Sequence, residues 1–269
     1  MSVEPTNDIA LELVEDVIGV VDLDEFHHAL LAALRRAIPS DWASFNDIGS
    51  APGDVITLTD PPVPEPQVAA FARLVHQNPL LRRYQRTRDG RAYRMSDLVS
   101  RAELHRLELY REVYRPLRVE YQLAFVLPCP PERILAVALS RDGADYSNRE
   151  RDFINRSRPL LIQAYRNAVD HAEARATGDA TMMSAALRQE GMTARECDVL
   201  LLLARGGSNQ DIANALDISE RTVQKHVQNS FRKLAVGDRS AAAARCWKLA
   251  AAAGSPPWGS PNGGATTHA

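Results

Sequence analysis

Lysine is nearly absent from most of this sequence. The chain has 269 residues, and its three lysines, Lys225, Lys233 and Lys248, all lie in the last fifth. A phosphate-accepting receiver domain needs a lysine beside its acidic cluster, so residues 1–190 do not form an ordinary receiver. No Gly-x-x-x-x-Gly-Lys loop occurs, which excludes the phosphate cradle of an ATP-driven switch.

Cysteine is also scarce. Cys129, Cys197 and Cys246 are odd in number and far apart, which favours reduced thiols in a cytoplasmic protein over a disulfide framework or a zinc site. The adjacent His27 and His28 would point about 100° apart on a helix. The other histidines have no partners at ligand spacing. We therefore predict no metal site and no cofactor.

Long hydrophobic runs are missing. The densest, residues 199–204, is far shorter than the ~18–20 residues of a membrane-spanning helix. Residues 1–10 are acidic and polar, unlike a secretory leader. We expect a cytoplasmic protein with no membrane partner. A Gly-x-Ser-x-Gly nucleophile elbow is also missing, so we predict no catalytic residues and expect that the chain is not an enzyme.

Residues 1–170 combine helical and strand patterns. Apolar residues recur at helical spacing over 8–20, 24–38, 67–77, 101–116 and from Ser147 to Val169, where Pro159 should bend the helix. Short strands are predicted over 42–48, 54–59, 120–127 and 133–140. Residues 79–100 are predicted as loop with short helices. This order predicts an α+β domain, with a mostly antiparallel sheet covered by helices.

The rest of the chain divides by composition. Residues 171–190 are rich in Ala, Thr and Gly and poorly patterned, which is typical of a linker. Residues 191–250 are predicted as an all-α domain of four helices. Residues 251–269 are rich in Gly, Pro, Ser and Thr, which predicts a disordered tail.

Helix start and stop signals are dense in residues 191–250. Thr193 and Glu196 form a capping box that opens the first helix. Ser208 opens a short second helix, which ends at Asp217, a residue type that tolerates a sharp left-handed turn. Ser219 then caps a third helix that runs to about residue 235. A short helix, a tight turn and a second helix are the elements of a helix-turn-helix.

The third helix is predicted to have two different faces. At 100° per residue, one face is apolar and suits a core: Val223, Val227, Ser230, Phe231 and Leu234. The other is long, basic and rich in amides: Arg221, Lys225, Gln228, Asn229 and Arg232, with Gln224 at its edge. Residues 191–250 carry nine basic and six acidic residues, so this end of the chain is where a phosphate backbone would be met.

This segment closely resembles the LuxR-type, or GerE-like, helix-turn-helix domain. The resemblance covers about sixty residues without a gap and is carried by these runs: Met192–Glu196, Leu203–Gly206, Ser208-Asn209, Ile212-Ala213, Leu216, Ile218-Ser219, Arg221–Val223, His226-Val227 and Phe231–Leu234. It implies a transcription regulator that binds double-stranded DNA as a homodimer, with the third helix in the major groove and the fourth supporting dimerisation. RNA polymerase is a further partner that such a regulator could contact.

The resemblance also implies roles for single residues. Gln224, Lys225 and Gln228 match the groove-facing positions, although the family often has lysine at position 224. Ser208 and Asn209 match positions near a phosphate. The other expected contacts are Ser219, Arg221, Thr222, His226, Arg232 and Lys233. Packing explains His226 at least as well as a phosphate contact does, and the two arginines fit either a contact or a solvated face.

A looser resemblance links residues 94–168 to GAF-like sensor regions of actinobacterial regulators. It is carried by Arg118–Leu127, Ile134–Ser140, Asn148–Asp152, Arg158-Pro159 and Ala164–Ala168. It implies a domain that binds a small effector, whose identity the sequence does not give. Aromatic residues that could line a pocket, or simply form the core, are Trp42, Phe45, Tyr121, Phe125 and Tyr146. The alternative is a constitutive dimeric regulator whose first domain only oligomerises or docks a protein.

Overall fold

The computed structural model describes residues 5–51 and 53–254. The chain divides into two compact units, Met1–Ala172 and Glu173–Ala269, called here the sheet unit and the helical unit. Among the described residues, no helix is long and apolar enough to span a bilayer.

The sheet unit is built on five antiparallel strands. They are β1 (Trp42–Ile48), β2 (Val55–Asp60), β3 (Tyr93–Arg94), β4 (Tyr121–Leu127) and β5 (Ile134–Arg141), in the order β2-β1-β5-β4-β3. The sequence pattern predicts the four longer strands. It does not predict the two-residue β3, because two residues carry no readable alternation.

Helices cover both faces of this sheet. One core contains Phe45, Phe125 and Val137 together with residues from α1 (Pro5–Ile18), α2 (Leu23–Ala37) and the first part of α6 (Asn148–Gln189). The other contains Ala124 and Ala138 together with residues from α3 (Glu65–Leu74), α4 (Pro79–Thr87) and α5 (Arg101–Arg106). Successive strand residues alternate between the two cores, as the pleat requires. The predicted α+β architecture is therefore confirmed.

One helical prediction in the sheet unit needs correction. The helix expected over 101–116 breaks at Leu107, whose backbone is extended at φ −70° and ψ 142°, and the chain continues as a π-helical turn over Tyr110–Tyr114. Residues 79–100, predicted as loop with short helices, contain α4, which Asn78 caps by accepting hydrogen bonds from the amides of Leu80 and Leu81.

The expected linker is helical. Helix α6 continues through residues 171–189, and Met183 and Leu187 pack in a core with Leu200 of the helical unit. Alanine is the strongest helix former, and the alanine-rich composition of this segment favours a helix in spite of its weak apolar periodicity.

The helical unit continues with four short helices. They are α7 (Ala194–Ala204), α8 (Asn209–Leu216), α9 (Glu220–Leu234) and α10 (Arg239–Gly254). Helix α10 extends past residue 250, where a disordered tail was expected to begin. The rest of that predicted tail, residues 255–269, lies outside the described residues.

Candidate functional sites

The turn between α8 and α9 has the sharp geometry that the sequence predicts. Asp217 ends α8 in the left-handed region, at φ 50° and ψ 53°, and its amide donates to the carbonyl of Ala213. Ser219 then caps α9, because its hydroxyl accepts from the amide of Thr222 at 3.2 Å. One left-handed residue reverses the chain without a long loop.

The inner face of α9 is buried as predicted. Val223, Val227, Ser230 and Leu234 are buried, and Phe231 is half-buried. Their partners include Val199, Leu203 and Ile212 of α7 and α8. This apolar contact fixes which side of α9 faces outward.

The outer face of α9 presents long polar side chains. Arg221, Gln224, Lys225 and Gln228 are exposed, and their side chains have no hydrogen bond or ion pair within the part of the chain that the structure describes. Exposed Arg232 also lies on this helix, and its guanidinium donates to Asn229 at 3.4 Å. Uncommitted donors and acceptors on one helical face can be directed at a partner without first breaking internal contacts.

Four of the expected contact residues are used in the fold itself. Ser208 forms a capping box with Asp211, its hydroxyl donating to the carboxylate at 2.7 Å. The Asn209 carboxamide oxygen accepts from Arg239 at 3.2 Å. Ser219 and Thr222 contact each other through their hydroxyls at 2.8 Å. These residues position the ends of α8 and α9.

Lys233 is held away from the free face of α9. Its ammonium lies 2.6 Å from the Glu196 carboxylate and donates to the carbonyl of Gly191 at 3.1 Å. Glu196 is only 4% exposed. Burial raises the pKa of Glu196, but the ion pair with Lys233 and the hydrogen bonds from Thr193 outweigh it and lower that pKa. The carboxylate is thus charged, and Lys233 is its counter-ion.

His226 is half-buried on α9, which agrees with packing as much as with a contact.

Two arginines for which the sequence predicts no role hold α8 in place. Arg195 donates to the carbonyl of Leu216 at 2.6 Å, and Arg239 donates to the carbonyl of Gly207. Both bonds join residues far apart in sequence, so no local pattern announces them.

A cavity lies on one face of the sheet in the sheet unit. The centres of water-sized molecules can occupy a volume of about 80 Å³ within it. Its floor is formed by β1, β2, β4 and β5, and its other walls come from α3, α4 and the segment around the π-helical turn. The polar groups that line it are Ser44, Asn46, Thr57, Thr59, Gln67, Asn78, Tyr84, Tyr114, Gln122 and Ser140.

Only one of the five aromatic candidates lines this cavity. Trp42 does, and its indole donates to the carbonyl of Leu117 at 3.1 Å. Phe45, Tyr121, Phe125 and Tyr146 belong to the core on the opposite face of the sheet. Side-chain alternation along the strands explains three of these positions. Phe45 is three residues from Trp42 on β1, and Tyr121 and Phe125 are three residues and one residue from the cavity-lining Ala124 on β4.

The helical unit matches a known protein family. Residues 190–246 match the GerE family, described as bacterial regulatory proteins, luxR family, so the helical unit carries a luxR-type helix-turn-helix domain. An uncharacterized transcriptional regulatory protein of Bacillus subtilis, YhcZ, is 56% identical over 52 residues, which are 19% of this chain and 24% of YhcZ. The chain spans about a quarter of the length of the curated relatives it matches.

The sheet unit resembles solved structures in fold. The LBD domain of VqsR from Pseudomonas aeruginosa aligns with 63% of this chain and 99% of that domain, at a TM-score of 0.50 and 16% identity. GAF domains are also among its fold neighbours. The alignment with one of them, from a phosphotransferase of Coxiella burnetii, covers 63% of this chain and 95% of that domain, at a TM-score of 0.43 and 15% identity.

Proposed function

We propose that this chain is a transcription regulator that binds double-stranded DNA through the outer face of α9. The observation that carries the proposal is the row of exposed, uncommitted side chains on that face, Arg221, Gln224, Lys225 and Gln228, beside residues that fix the helix ends. The luxR-type domain at residues 190–246 supports it. In domain terms, we assign residues 1–170 to sensing and 191–250 to DNA binding.

The chemistry of this face suits base recognition. A major groove about 12 Å wide accepts an α-helix, glutamine can pair with adenine through two hydrogen bonds, and lysine favours guanine. Arg221 and Arg232 carry the fixed positive charge that attracts phosphates. Lys233 contributes little directly, because its ammonium is bound to Glu196.

We further propose that the protein acts as a homodimer on two half-sites. The helical unit has a small positive charge, so one copy alone should bind DNA weakly, and two recognition helices about one turn apart add their contacts. Helix α10 offers exposed Ala244 and Trp247, the latter 45% exposed. Ala242 is fully buried within its own unit, so only part of the expected small-residue surface is free for a second copy.

The sheet unit supplies the input, and we place a small effector in its cavity. A concave, largely apolar space with a few converging polar groups is the usual form of a small-molecule site. A constitutive regulator without an effector would bind its DNA fully in the absence of any ligand, and this separates the two interpretations.

The DNA-binding proposal is tested by removing side chains from the outer face of α9. We expect Lys225→Ala and Gln228→Ala each to weaken binding about 10-fold to 100-fold, because each contact contributes ~1–3 kcal/mol of discrimination. The probe is a duplex selected by the wild-type protein from a randomised pool, in a gel-shift titration at fixed salt.

The matched control is Gln189→Ala at the end of α6. Its side chain is exposed and lies outside both the proposed face and α10, so this variant should bind like wild type. Equal affinity of the two α9 variants and the wild type would contradict the proposal.

A further inference from the structure

The cavity of the sheet unit is lined without any charged side chain. Among its described lining residues, none is Asp, Glu, Lys, Arg or His, although a quarter of the sequence is charged. The groups that could ionise are Tyr84 and Tyr114, and burial raises the pKa of both phenols, which keeps them neutral. A charged ligand would lose its hydration here and gain no counter-ion, at a cost of several kcal/mol.

The cavity exists because small side chains occupy the centre of its floor. Ala124 of β4 and Ala138 of β5 are direct cross-strand partners, and Ala136 lies two residues before Ala138 on β5. On the other face of the same strands, Phe125 faces Val137. Methyl groups on one face and large side chains on the other leave a hollow on the first. Its walls are apolar: Val68, Phe71, Leu80, Val113, Leu117 and Val119.

A chain of amides fixes the direction of the hydrogen bonds at the edge of this hollow. The Asn78 carboxamide oxygen accepts from the amides of Leu80 and Leu81 at 2.8 and 3.2 Å, so its nitrogen must face the other way. That nitrogen donates to the Gln122 oxygen at 3.4 Å and to the Tyr114 hydroxyl at 2.8 Å. The Gln122 nitrogen then donates to the Ser140 hydroxyl at 3.1 Å.

In this series of hydrogen bonds, the Ser140 hydroxyl hydrogen has no acceptor among the described residues. Ser140 is 6% exposed, and within the described residues its hydroxyl oxygen makes no bond other than the one it accepts. Ser44 repeats the arrangement on β1, since its hydroxyl accepts from Asn46 at 3.0 Å. The Asn46 nitrogen also faces the carbonyl of Ala136 at 3.4 Å, which sets its orientation.

The two serines lie close together on the floor. Trp42 pairs with Ser140 and Ser44 pairs with Ala138 across β1 and β5, so the serines are diagonal neighbours, which typically lie about 7–8 Å apart between Cα atoms. Both therefore present O–H donors to the same space. For the buried Ser140, a hydroxyl hydrogen without an acceptor is unfavourable by about 1–3 kcal/mol, and a ligand oxygen would remove that cost. Ser44 is half-buried and adds a second donor beside it.

We propose that the effector is an uncharged, mainly apolar small molecule with a carbonyl or similar acceptor oxygen, which receives hydrogen bonds from Ser140 and Ser44. The inference rests on the proposed regulatory function, because it names the ligand class for the effector cavity. It selects neutral esters, amides and ketones and rejects carboxylates and amines with the same carbon skeleton.

Calorimetric titration of the full chain tests this ligand class. The probes are three matched series with alkyl chains from butyl to octyl: methyl esters, carboxylates and primary amines. We expect at least one ester to bind, and its carboxylate and amine counterparts to bind at least about 100-fold more weakly, since each would be a buried charge without a partner. A charged probe that binds as tightly as its ester, or a complete failure of all esters, would overturn the proposal.

Variants locate the ester in the cavity. Ser140→Ala and Ser44→Ala should each weaken ester binding about 5-fold to 10-fold, the effect of one hydrogen bond. Ala138→Leu should abolish it by filling the floor. The control is Ser157→Ala, the same change at a buried serine of α6 that does not line the cavity. Unchanged affinity in both serine variants contradicts the donor role, and unchanged affinity in Ala138→Leu contradicts the location.

The same preparations are tested for DNA binding by gel shift. If DNA is bound but no ester is, the ligand class fails and the regulator assignment stands. If an ester binds as expected but no selected duplex does, the regulator assignment fails instead. Thermal unfolding of each variant shows whether a lost signal reflects a lost fold.

Discussion

Two lysines on α9 have opposite surroundings. Lys225 has no described partner, whereas Lys233 neutralises the buried Glu196 carboxylate at 2.6 Å. Both residues are exposed, and both match positions in the family pattern. Exposure alone therefore does not separate a side chain that is free for DNA from one that stabilises the domain.

Lys233→Ala is expected to lower stability. It leaves the Glu196 carboxylate buried without its counter-ion, and the expected loss is about 2–3 kcal/mol in the free energy of unfolding. Urea unfolding measures it, with Lys248→Ala as the control, which should stay within about 0.5 kcal/mol of wild type. The folded Lys233→Ala protein should retain most of its DNA affinity. A stable variant with strongly reduced affinity would instead assign Lys233 to the DNA contact.

Glu120 is the centre of a second charged cluster, in the sheet unit. Its carboxylate accepts from Arg101 at 2.8 Å, lies 2.9 Å from His105 and accepts from the Tyr110 hydroxyl. Burial raises the pKa of Glu120, but these three hydrogen bonds outweigh it and lower that pKa to about 2. The cluster ties α5 and the π-helical turn to the start of β4.

The depressed pKa predicts a pH dependence. The folded value of about 2 lies below the unfolded value of about 4.3, so the stabilisation is complete above the unfolded value and is lost as the pH falls toward the folded one. Glu120→Gln should therefore be less stable than wild type at neutral pH, and the difference should shrink below about pH 4. Urea unfolding across this range measures it. Glu132→Gln, at an exposed glutamate, is the control, and a Glu120→Gln difference that does not change with pH would contradict the assignment.

At the scale of elements, the short helices of the helical unit depend on their ends. Gly206 follows α7 at φ 88°, where its amide donates to the carbonyl of Leu203 at 3.0 Å. This left-handed backbone is one that glycine adopts without a Cβ penalty. The next helix, α8, begins only three residues later, so the connection between α7 and α8 is very short.

Gly206→Ala should destabilise the helical unit by about 1 kcal/mol, the usual cost of a Cβ in the left-handed region. Gly237→Ala is the matched control, because Gly237 lies in open space without a left-handed φ, and its effect should stay within about 0.5 kcal/mol. The measurement is thermal or urea unfolding. Equal effects of the two substitutions would show that backbone strain does not set the stability here.

Elements with strong local signals could be predicted from sequence. The bounds of α8 and α9 follow from Ser208, Asp217 and Ser219, whose side chains act on their own neighbours. The strand β3 could not be predicted because two residues carry no readable alternation, and the break at Leu107 could not be predicted because no proline or glycine marks it in the sequence. The helical course of residues 171–189 is not evident from apolar periodicity, because alanine favours a helix without marking one of its faces.

At the scale of the whole molecule, the two candidate sites differ in how much of each could be predicted from the sequence. The outer face of α9 is a property of one helix, so the regular 100° rotation between residues is enough to assemble it from the sequence. The cavity is a property of four strands in register and of the walls above them. Its Ser44 and Ser140 lie 96 positions apart in the chain and are brought together only by the pairing of β1 with β5.

The two faces of the sheet have different structural roles, and Ala124 and Ala138 lie on the cavity face. The side chains that set the volume of the hollow point one way, while those that anchor the sheet to α2 and α6 point the other. Exchange of Ala124 or Ala138 for another small residue would therefore reshape the hollow, where we propose that the effector binds, and leave the packing of α2 and α6 on the opposite face unchanged.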